Sequence, residues 1–120
     1  MKVVALIGLA LVAAGCGASE EEGVRRSFDE YRAAILAGDA TRVCAVFTEA
    51  GRKAVGGTRG CTAVLDDALR GFSARSRADL RAARIAAVQV HGRSATAQLE
   101  AGDAPLRFRK ERGGWRIEAR

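Results

Sequence analysis

The chain has few residues that could do chemistry. It contains three cysteines, Cys16, Cys44 and Cys61, and a single histidine, His91, in 120 residues. A cysteine thiol can be acylated, oxidised to a disulfide or bound to a metal, and a histidine can bind a metal or transfer a proton. An odd number of cysteines in an exported chain requires an explanation. The role of each cysteine is therefore the first question.

Cys16 follows an apolar segment that has the length of a secretion signal. The run Val3–Ala14 has twelve residues, whereas a membrane-spanning helix needs roughly 20 and the apolar part of a signal peptide about 7–15. The sequence Ala13-Ala14-Gly15 directly before Cys16 resembles a bacterial lipobox, which directs lipidation of the cysteine and cleavage in front of it. We therefore predict a lipoprotein signal peptide over residues 1–15 and a lipidated Cys16 with a short tether over residues 16–19. The protein would be exported and anchored by lipid to the outer face of the cell membrane.

Two other interpretations of this segment stay open. A plain secretion signal would be cleaved at a small-x-small site between Ala13 and Ala18, without lipidation. An N-terminal core helix would need a polar face, which the run lacks, and its glycines are poor residues for a helix interior. Of the three interpretations, only the lipobox also explains why the number of cysteines is odd.

Cys44 and Cys61 remain if Cys16 carries the lipid. They are seventeen positions apart, and export would place them where disulfides persist. We therefore predict a disulfide between them, which would stabilise the fold by about 3 kcal/mol. A metal site is the alternative, but one histidine and the absence of close Cys or His spacing argue against it. We expect neither a metal nor a cofactor.

No group of residues has the pattern of a catalytic site. His91 falls in a predicted turn, and Asp66-Asp67 falls at the predicted start of a helix, where acidic residues are ordinary partners of the helix dipole. Tyr31 lies on an apolar helical stripe that is typical of core residues. We therefore expect no catalytic residues and no enzyme activity.

The net charge does not indicate a nucleic-acid ligand. The formal charge is +6, and basic proteins can attract polyanions. However, the arginines are spread along the whole chain among acidic residues, and few aromatic residues lie near them to stack on bases. We therefore expect a solvated basic surface and no binding to nucleic acid.

Three helices are predicted in the first part of the domain. The first begins at a Ser19–Glu22 capping box and ends at Gly38. The second begins at Asp39 and frays over Arg52–Val55, and the third begins at Thr62.

Residues 73–80 are predicted as a loop with a helical first part, and after them the apolar periodicity changes from helical to alternating. Four strands follow, around Ile85–Val90, Ala95–Leu99, Leu106–Phe108 and Trp115–Ile117. Alternation of this kind gives an antiparallel meander with one apolar and one polar face. The predicted fold class is therefore α+β, with three N-terminal helices packed on one face of a curved four-stranded antiparallel meander sheet.

The first helix, with Phe28 and Tyr31, and three later segments together resemble the nuclear transport factor 2-like superfamily, and within it small actinobacterial secreted lipoproteins. The three segments read AILAGDATRVCAVFTEAGRKAV, VQVHGRSATAQLE and PLRFRKERGGWRIEAR. The resemblance covers residues 20–120 and implies a single domain in which a cone-like curved sheet wraps around helices. The chain departs from the fuller family pattern because no strand pair lies between its second and third helices, which implies a shallower cone.

These observations predict a non-catalytic binding or interaction domain whose specific role is open. One alternative is a carrier that holds a small apolar ligand in a shallow pocket. The candidate lining residues are Phe28, Tyr31, Phe47, Phe72, Phe108 and Trp115. The other alternative is a weak isomerase-like or dehydratase-like enzyme, which some members of the family are, and which would use Tyr31 or Asp66.

The polar face of the predicted sheet carries the candidate interaction surface. Arg107, Arg109 and Arg116 cluster there and could engage an acidic protein partner. Because obligate dimer interfaces are more apolar than this face, we predict a monomer. We also expect an anionic leaflet to repel Glu20–Glu22, so that the first helix stands away from the membrane.

Overall fold

A long first helix, α1, spans Val12–Ala37 in the computed structural model, which describes residues 12–102 and 104–119 and, within α1, side chains from Ser19 onward. The helix ends where the sequence predicts, because Gly38 has a φ of +69°, a conformation that glycine adopts without strain. The predicted beginning at Ser19 is wrong, because α1 begins at Val12 and Ser19 is an interior residue. The alanines between these two positions favour continuation of the helix.

The predicted second helix is two helices, α2 over Ala40–Val46 and α3 over Glu49–Gly56. Asp39 caps α2 as predicted, since its carboxylate accepts the N–H of Arg42 at 3.1 Å. The break lies at Phe47, whose extended backbone forms a parallel bridge with Ile117. The Thr48 hydroxyl then accepts the N–H of Gly51 at 2.9 Å and starts α3. Pairing with the sheet therefore overrides the helical pattern at this point.

Two further helices, α4 and α5, precede the sheet, so the described chain has five helices where three are predicted. α4 spans Cys61–Arg70 and has Gly60, not Thr62, as its N-cap. α5 spans Ala74–Ala82, where the sequence predicts mostly loop. Its N-cap is Ser73, whose hydroxyl accepts the N–H of Ser76 at 3.0 Å. The short polar α5 has no clear apolar stripe, which is why periodicity misses it.

The antiparallel meander is confirmed. The strands are β1 over Ile85–His91, β2 over Ser94–Leu99, β3 over Leu106–Glu111 and β4 over Gly114–Ile117, and their order in the sheet is the order in the chain. All three pairings are antiparallel. The fold is therefore α+β with an open four-stranded sheet.

The core lies between α1 and one face of the sheet. α1 packs against β4 and β1, and α2 packs against α1 and α4. The buried side chains are apolar. They include Val24, Phe28 and Ile35 from α1, Val43 and Val46 from α2, and Ala95, Ala97, Phe108, Trp115 and Ile117 from the sheet. The opposite face of the sheet is left to polar side chains, as the alternating pattern predicts.

Candidate functional site

The strand register brings the three predicted arginines onto one face of the sheet. Arg109 on β3 lies directly opposite Arg116 on β4, and Arg107 is two residues along β3 from Arg109, on the same side of the strand. Arg107 and Arg109 are exposed and Arg116 is half-buried. We call this set the arginine face.

A row of polar residues crosses all four strands through the arginine face. His91 pairs with Ser94, Ser94 with Arg109, and Arg109 with Arg116. His91 is exposed and is the last residue of β1, so the turn lies at residues 92–93 and the prediction that His91 is in the turn is wrong. The row therefore offers hydroxyl, imidazole and guanidinium donors on one open surface.

The arginine face carries three positive charges and, beside them, the carboxylates of Glu111 and Glu118, which line a groove with Arg109. None of its three guanidinium groups makes an ion pair with a described carboxylate. The Arg116 Nη1 donates only to a backbone oxygen, that of Trp115, at 3.3 Å. Like charges directly opposite each other on neighbouring strands are destabilising. This face is therefore suited electrostatically to an anionic partner.

The six predicted lining residues lie in the core and not around one groove. Phe28, Phe47, Phe108 and Trp115 are buried, and Tyr31 and Phe72 are half-buried against the same cluster. Tyr31 and Phe47 contact each other with ring centroids 6.1 Å apart. These aromatic side chains therefore fill space that an apolar ligand would need.

The two widest grooves among the described residues lie elsewhere. One of about 870 Å³ lies between α2, α3 and the β3–β4 hairpin and mixes acidic and basic residues. It is lined by Thr41, Cys44, Ala45, Glu49, Arg52, Thr62, Glu111, Arg112 and Arg116. The other, of about 620 Å³, lies between α5 and the end of β2, and of the six aromatic residues it contains only Phe72.

The two residues proposed for acid–base chemistry lie in different environments. Burial raises the pKa of the Tyr31 phenol above its ordinary value of about 10. Asp66 is on α4 and lies 3.9 Å from Arg70 in an exposed ion pair. The neighbouring Asp67 accepts a hydrogen bond from Arg59 at 2.6 Å, and this bond is the main reason that its pKa is lowered. Asp66 and Asp67 follow the first turn of α4, contrary to the prediction, and are held by arginines on the surface.

The disulfide between Cys44 and Cys61 is present, with the two Cα atoms 6.1 Å apart. It joins α2 to the first residue of α4 and closes the loop that contains α3. Cys44 is buried, whereas Cys61 is half-buried. The predicted lipidation site, Cys16, falls within the backbone of α1, but its side chain and residues 1–11 lie outside the described part of the chain.

Sequence reasoning misses a contact between α1 and the β3–β4 hairpin. Glu20 accepts hydrogen bonds from Lys110 Nζ at 2.6 Å and from Trp115 Nε1 at 3.1 Å. The Lys110 ammonium also lies 5.8 Å from the centre of the Trp115 ring. The sequence predicts that the three glutamates form an ordinary first helical turn. Only the tertiary fold shows that Glu20 binds Lys110 and Trp115.

Two absences apply to the described residues only. No helix in residues 12–102 and 104–119 is long and apolar enough to cross a membrane. In the same part of the chain, no group of three or more His, Cys, Asp or Glu residues could hold a metal ion.

Comparison with known proteins gives no relative. No protein-family model, no curated protein and no solved structure matches the chain. Arguments about function therefore depend on the residues themselves.

Proposed function

We propose that the protein is an exported lipoprotein, anchored through Cys16 to the outer face of the cell membrane, with a non-catalytic interaction domain. The observation that carries this proposal is the Cys44–Cys61 disulfide. Disulfides persist in oxidising compartments and are rare in the cytosol. The pairing accounts for two of the three cysteines, and Cys16, which follows the lipobox-like sequence, is the third.

A relationship to the nuclear transport factor 2-like superfamily is part of this proposal. A four-stranded meander with helices on one face is compatible with a shallow cone. The described chain between α3 and α4 contains no strand pair. At this point it differs from the fuller family pattern, as the sequence indicates. We propose the family relationship on the sequence segments and this architecture together.

The arginine face is proposed as the surface that binds an acidic protein partner. Its support is the cross-strand pair of Arg109 and Arg116, which repel each other and have no carboxylate partner among the described residues. An acidic partner would relieve this repulsion, and such complementarity contributes to specificity and to the association rate. The packing of the aromatic residues into the core gives less support to the carrier alternative.

The intact mass of the protein purified from membranes tests the proposed anchor. We expect a polypeptide that begins at Cys16, carries acyl chains and gains two hydrogens on reduction. An unlipidated chain in which all three cysteines are free would overturn both the anchor and export.

Photo-cross-linking in living cells tests the proposed interaction surface. A photoreactive residue at Thr96, which is paired with Arg107 on β2, should capture an acidic protein. Substitution of Arg107, Arg109 and Arg116 by serine should abolish the cross-link. The control is substitution of Arg75 and Arg81 on α5 by serine, which removes two exposed positive charges outside the arginine face and should leave the cross-link unchanged. An identical cross-link in all variants would contradict the assignment.

A further inference from the structure

The apolar side chains of α4, of α5 and of the segment between them are only partly covered. The structure describes both helices throughout, and neither contains a fully buried residue. Leu65, Leu69, Phe72 and Leu80 pack against the core but stay half-buried, and so does Leu99 at the end of β2. A ligand that removed this apolar surface from water would gain free energy. This corner of the fold is therefore suited to a ligand with an apolar body.

The groove between α5 and the end of β2 lies at this corner. Most of its lining residues are apolar, and the largest of them are Phe72, Leu80 and Leu99. Its volume is about 620 Å³, and small-molecule sites have volumes of about 300–1,000 Å³. The groove therefore has the size and the lining of a site for a small ligand.

Hydrogen bonds to backbone oxygens fix the walls of this groove. Arg32 on α1 donates from Nη1 to the oxygen of Ala83, which ends α5. Arg77 on α5 donates from Nη2 to a backbone oxygen near the end of α1. The Glu100 N–H donates to the Arg84 oxygen at 2.9 Å, which joins the end of β2 to the segment after α5. Because its walls are held in this way, the groove is formed before a ligand binds, and a preformed site loses less entropy on binding.

Two carboxylates of the groove lack a partner. Asp79 and Glu100 are exposed, and neither side chain makes an ion pair or a hydrogen bond within the described part of the chain. Among the described lining residues the one cation is Arg84, whose Nη1 donates to two backbone oxygens at 2.8 and 2.9 Å. Two carboxylates and one guanidinium give the lining a net charge of −1. The other arginines of α5 do not line the groove, and they are Arg75, Arg77 and Arg81.

We propose that this groove binds a small amphiphile with an apolar body and one ammonium group. The apolar body covers Phe72, Leu80 and Leu99, and the ammonium group lies near Asp79 and Glu100, where opposite charges attract. The groove contains none of the residues of the arginine face, and the proposal does not depend on the lipid anchor. The site is also distinct from the predicted aromatic pocket, with which it shares one residue.

Three probes that differ only in their polar group test the site. They are 4-phenylbutylamine, 4-phenylbutanol and 4-phenylbutyrate, which carry an ammonium, a hydroxyl and a carboxylate group near neutral pH. The mature protein is isolated from cells, in phosphatidylcholine nanodiscs if it carries acyl chains, and is titrated with each probe. Binding is followed by NMR of the Leu80 and Leu99 methyl groups. We expect the amine to bind about tenfold more tightly than the carboxylate, with the alcohol between them. The methyl groups of Val46, which lines another groove, should not shift.

A double variant separates the charge of the groove from its apolar wall. Substitution of Asp79→Asn together with Glu100→Gln removes both carboxylates and leaves the apolar side chains in place. We expect the affinity for the amine to fall about tenfold and the affinity for the alcohol to stay the same, which also shows that the groove is intact. The matched control is Glu22→Gln together with Glu49→Gln, which removes two exposed carboxylates outside the groove and should leave both affinities unchanged.

Two kinds of result would overturn the proposal. The absence of a saturable shift at Leu80 and Leu99 with all three probes would show that the groove does not take a small ligand. Equal affinity for the three probes, or an unchanged amine affinity in the groove variant, would show that the carboxylates do not select the ligand. Neither result bears on the lipid anchor or on the arginine face, which have their own tests.

Discussion

Replacement of Gly23 by alanine should destabilise the protein, although helix propensity alone predicts the opposite. Gly23 is an interior residue of α1, where alanine would favour the helix by about 1 kcal/mol. However, a Cβ at this position would lie 2.8 Å from Cδ1 and 3.3 Å from Nε1 of Trp115. The indole cannot easily move, because it is 4% exposed and its Nε1 donates to Glu20 at 3.1 Å.

The magnitude follows from the two opposing effects. Overpacking a well-filled core costs about 1–3 kcal/mol, so the steric cost should exceed the helical gain and leave a net loss of about 1 kcal/mol. Urea unfolding followed by circular dichroism measures this difference, with the slope of the transition unchanged.

A double-mutant cycle separates the two effects. In a Trp115→Leu background the clash is removed, and Gly23→Ala should then stabilise the protein by about 1 kcal/mol. Stabilisation of the same size in the presence of Trp115 would refute the reasoning, since it would mean that α1 does not pack closely on β4.

Three other predictions concern the disulfide, an ion pair and the core. Replacement of Cys44 and Cys61 by alanine should lower the free energy of unfolding by about 3 kcal/mol, and calorimetry that gave an unchanged Tm would contradict the assigned role of the bridge. Asp67 should titrate below the ordinary aspartate pKa of about 3.9. Because its pKa is lowered in the folded state, Asp67 stabilises the protein above the ordinary pKa, and this contribution is lost as the pH falls through the folded pKa. The substitution Arg59→Ser should return the pKa of Asp67 toward the ordinary value, as measured by NMR titration. If the pKa did not move, the hydrogen bond from Arg59 could not be the main cause of the lowered pKa. Phe108→Ala should cost about 3–5 kcal/mol, because Phe108 is 1% exposed, and a loss below about 1 kcal/mol in urea unfolding would show that the core tolerates the cavity.

The sheet could be predicted closely from the sequence because its signals are local. Strict alternation along β2 places Ala95 and Ala97 in the core, and glycines in the left-handed region, such as Gly92 and Gly113, mark the hairpin turns. The end of α1 at Gly38 is a signal of the same kind. Each of these features is decided by a few neighbouring residues.

The helices are predicted less well because distant contacts decide their ends. The break at Phe47 depends on pairing with Ile117, which is far away in the sequence. The aromatic residues illustrate the same limit for the candidate site, because the alternating pattern identifies Phe108 as inward-facing but cannot tell a pocket wall from a filled core. The link between Glu20 and Trp115 likewise needs the tertiary fold.

The bridge at Phe47 also affects how the protein behaves at high concentration. β4 is an edge strand, and exposed edges can pair with other chains and aggregate. Here the Thr48 N–H donates to the Ile117 oxygen at 2.9 Å, so the chain between α2 and α3 occupies part of that edge. The other edge, β1, has an irregular register between Ile85 and Ala87, and such bulges interrupt pairing. Both edges of the sheet therefore resist intermolecular strand addition, which would favour separate molecules even if the proposed lipid anchor crowded them in two dimensions.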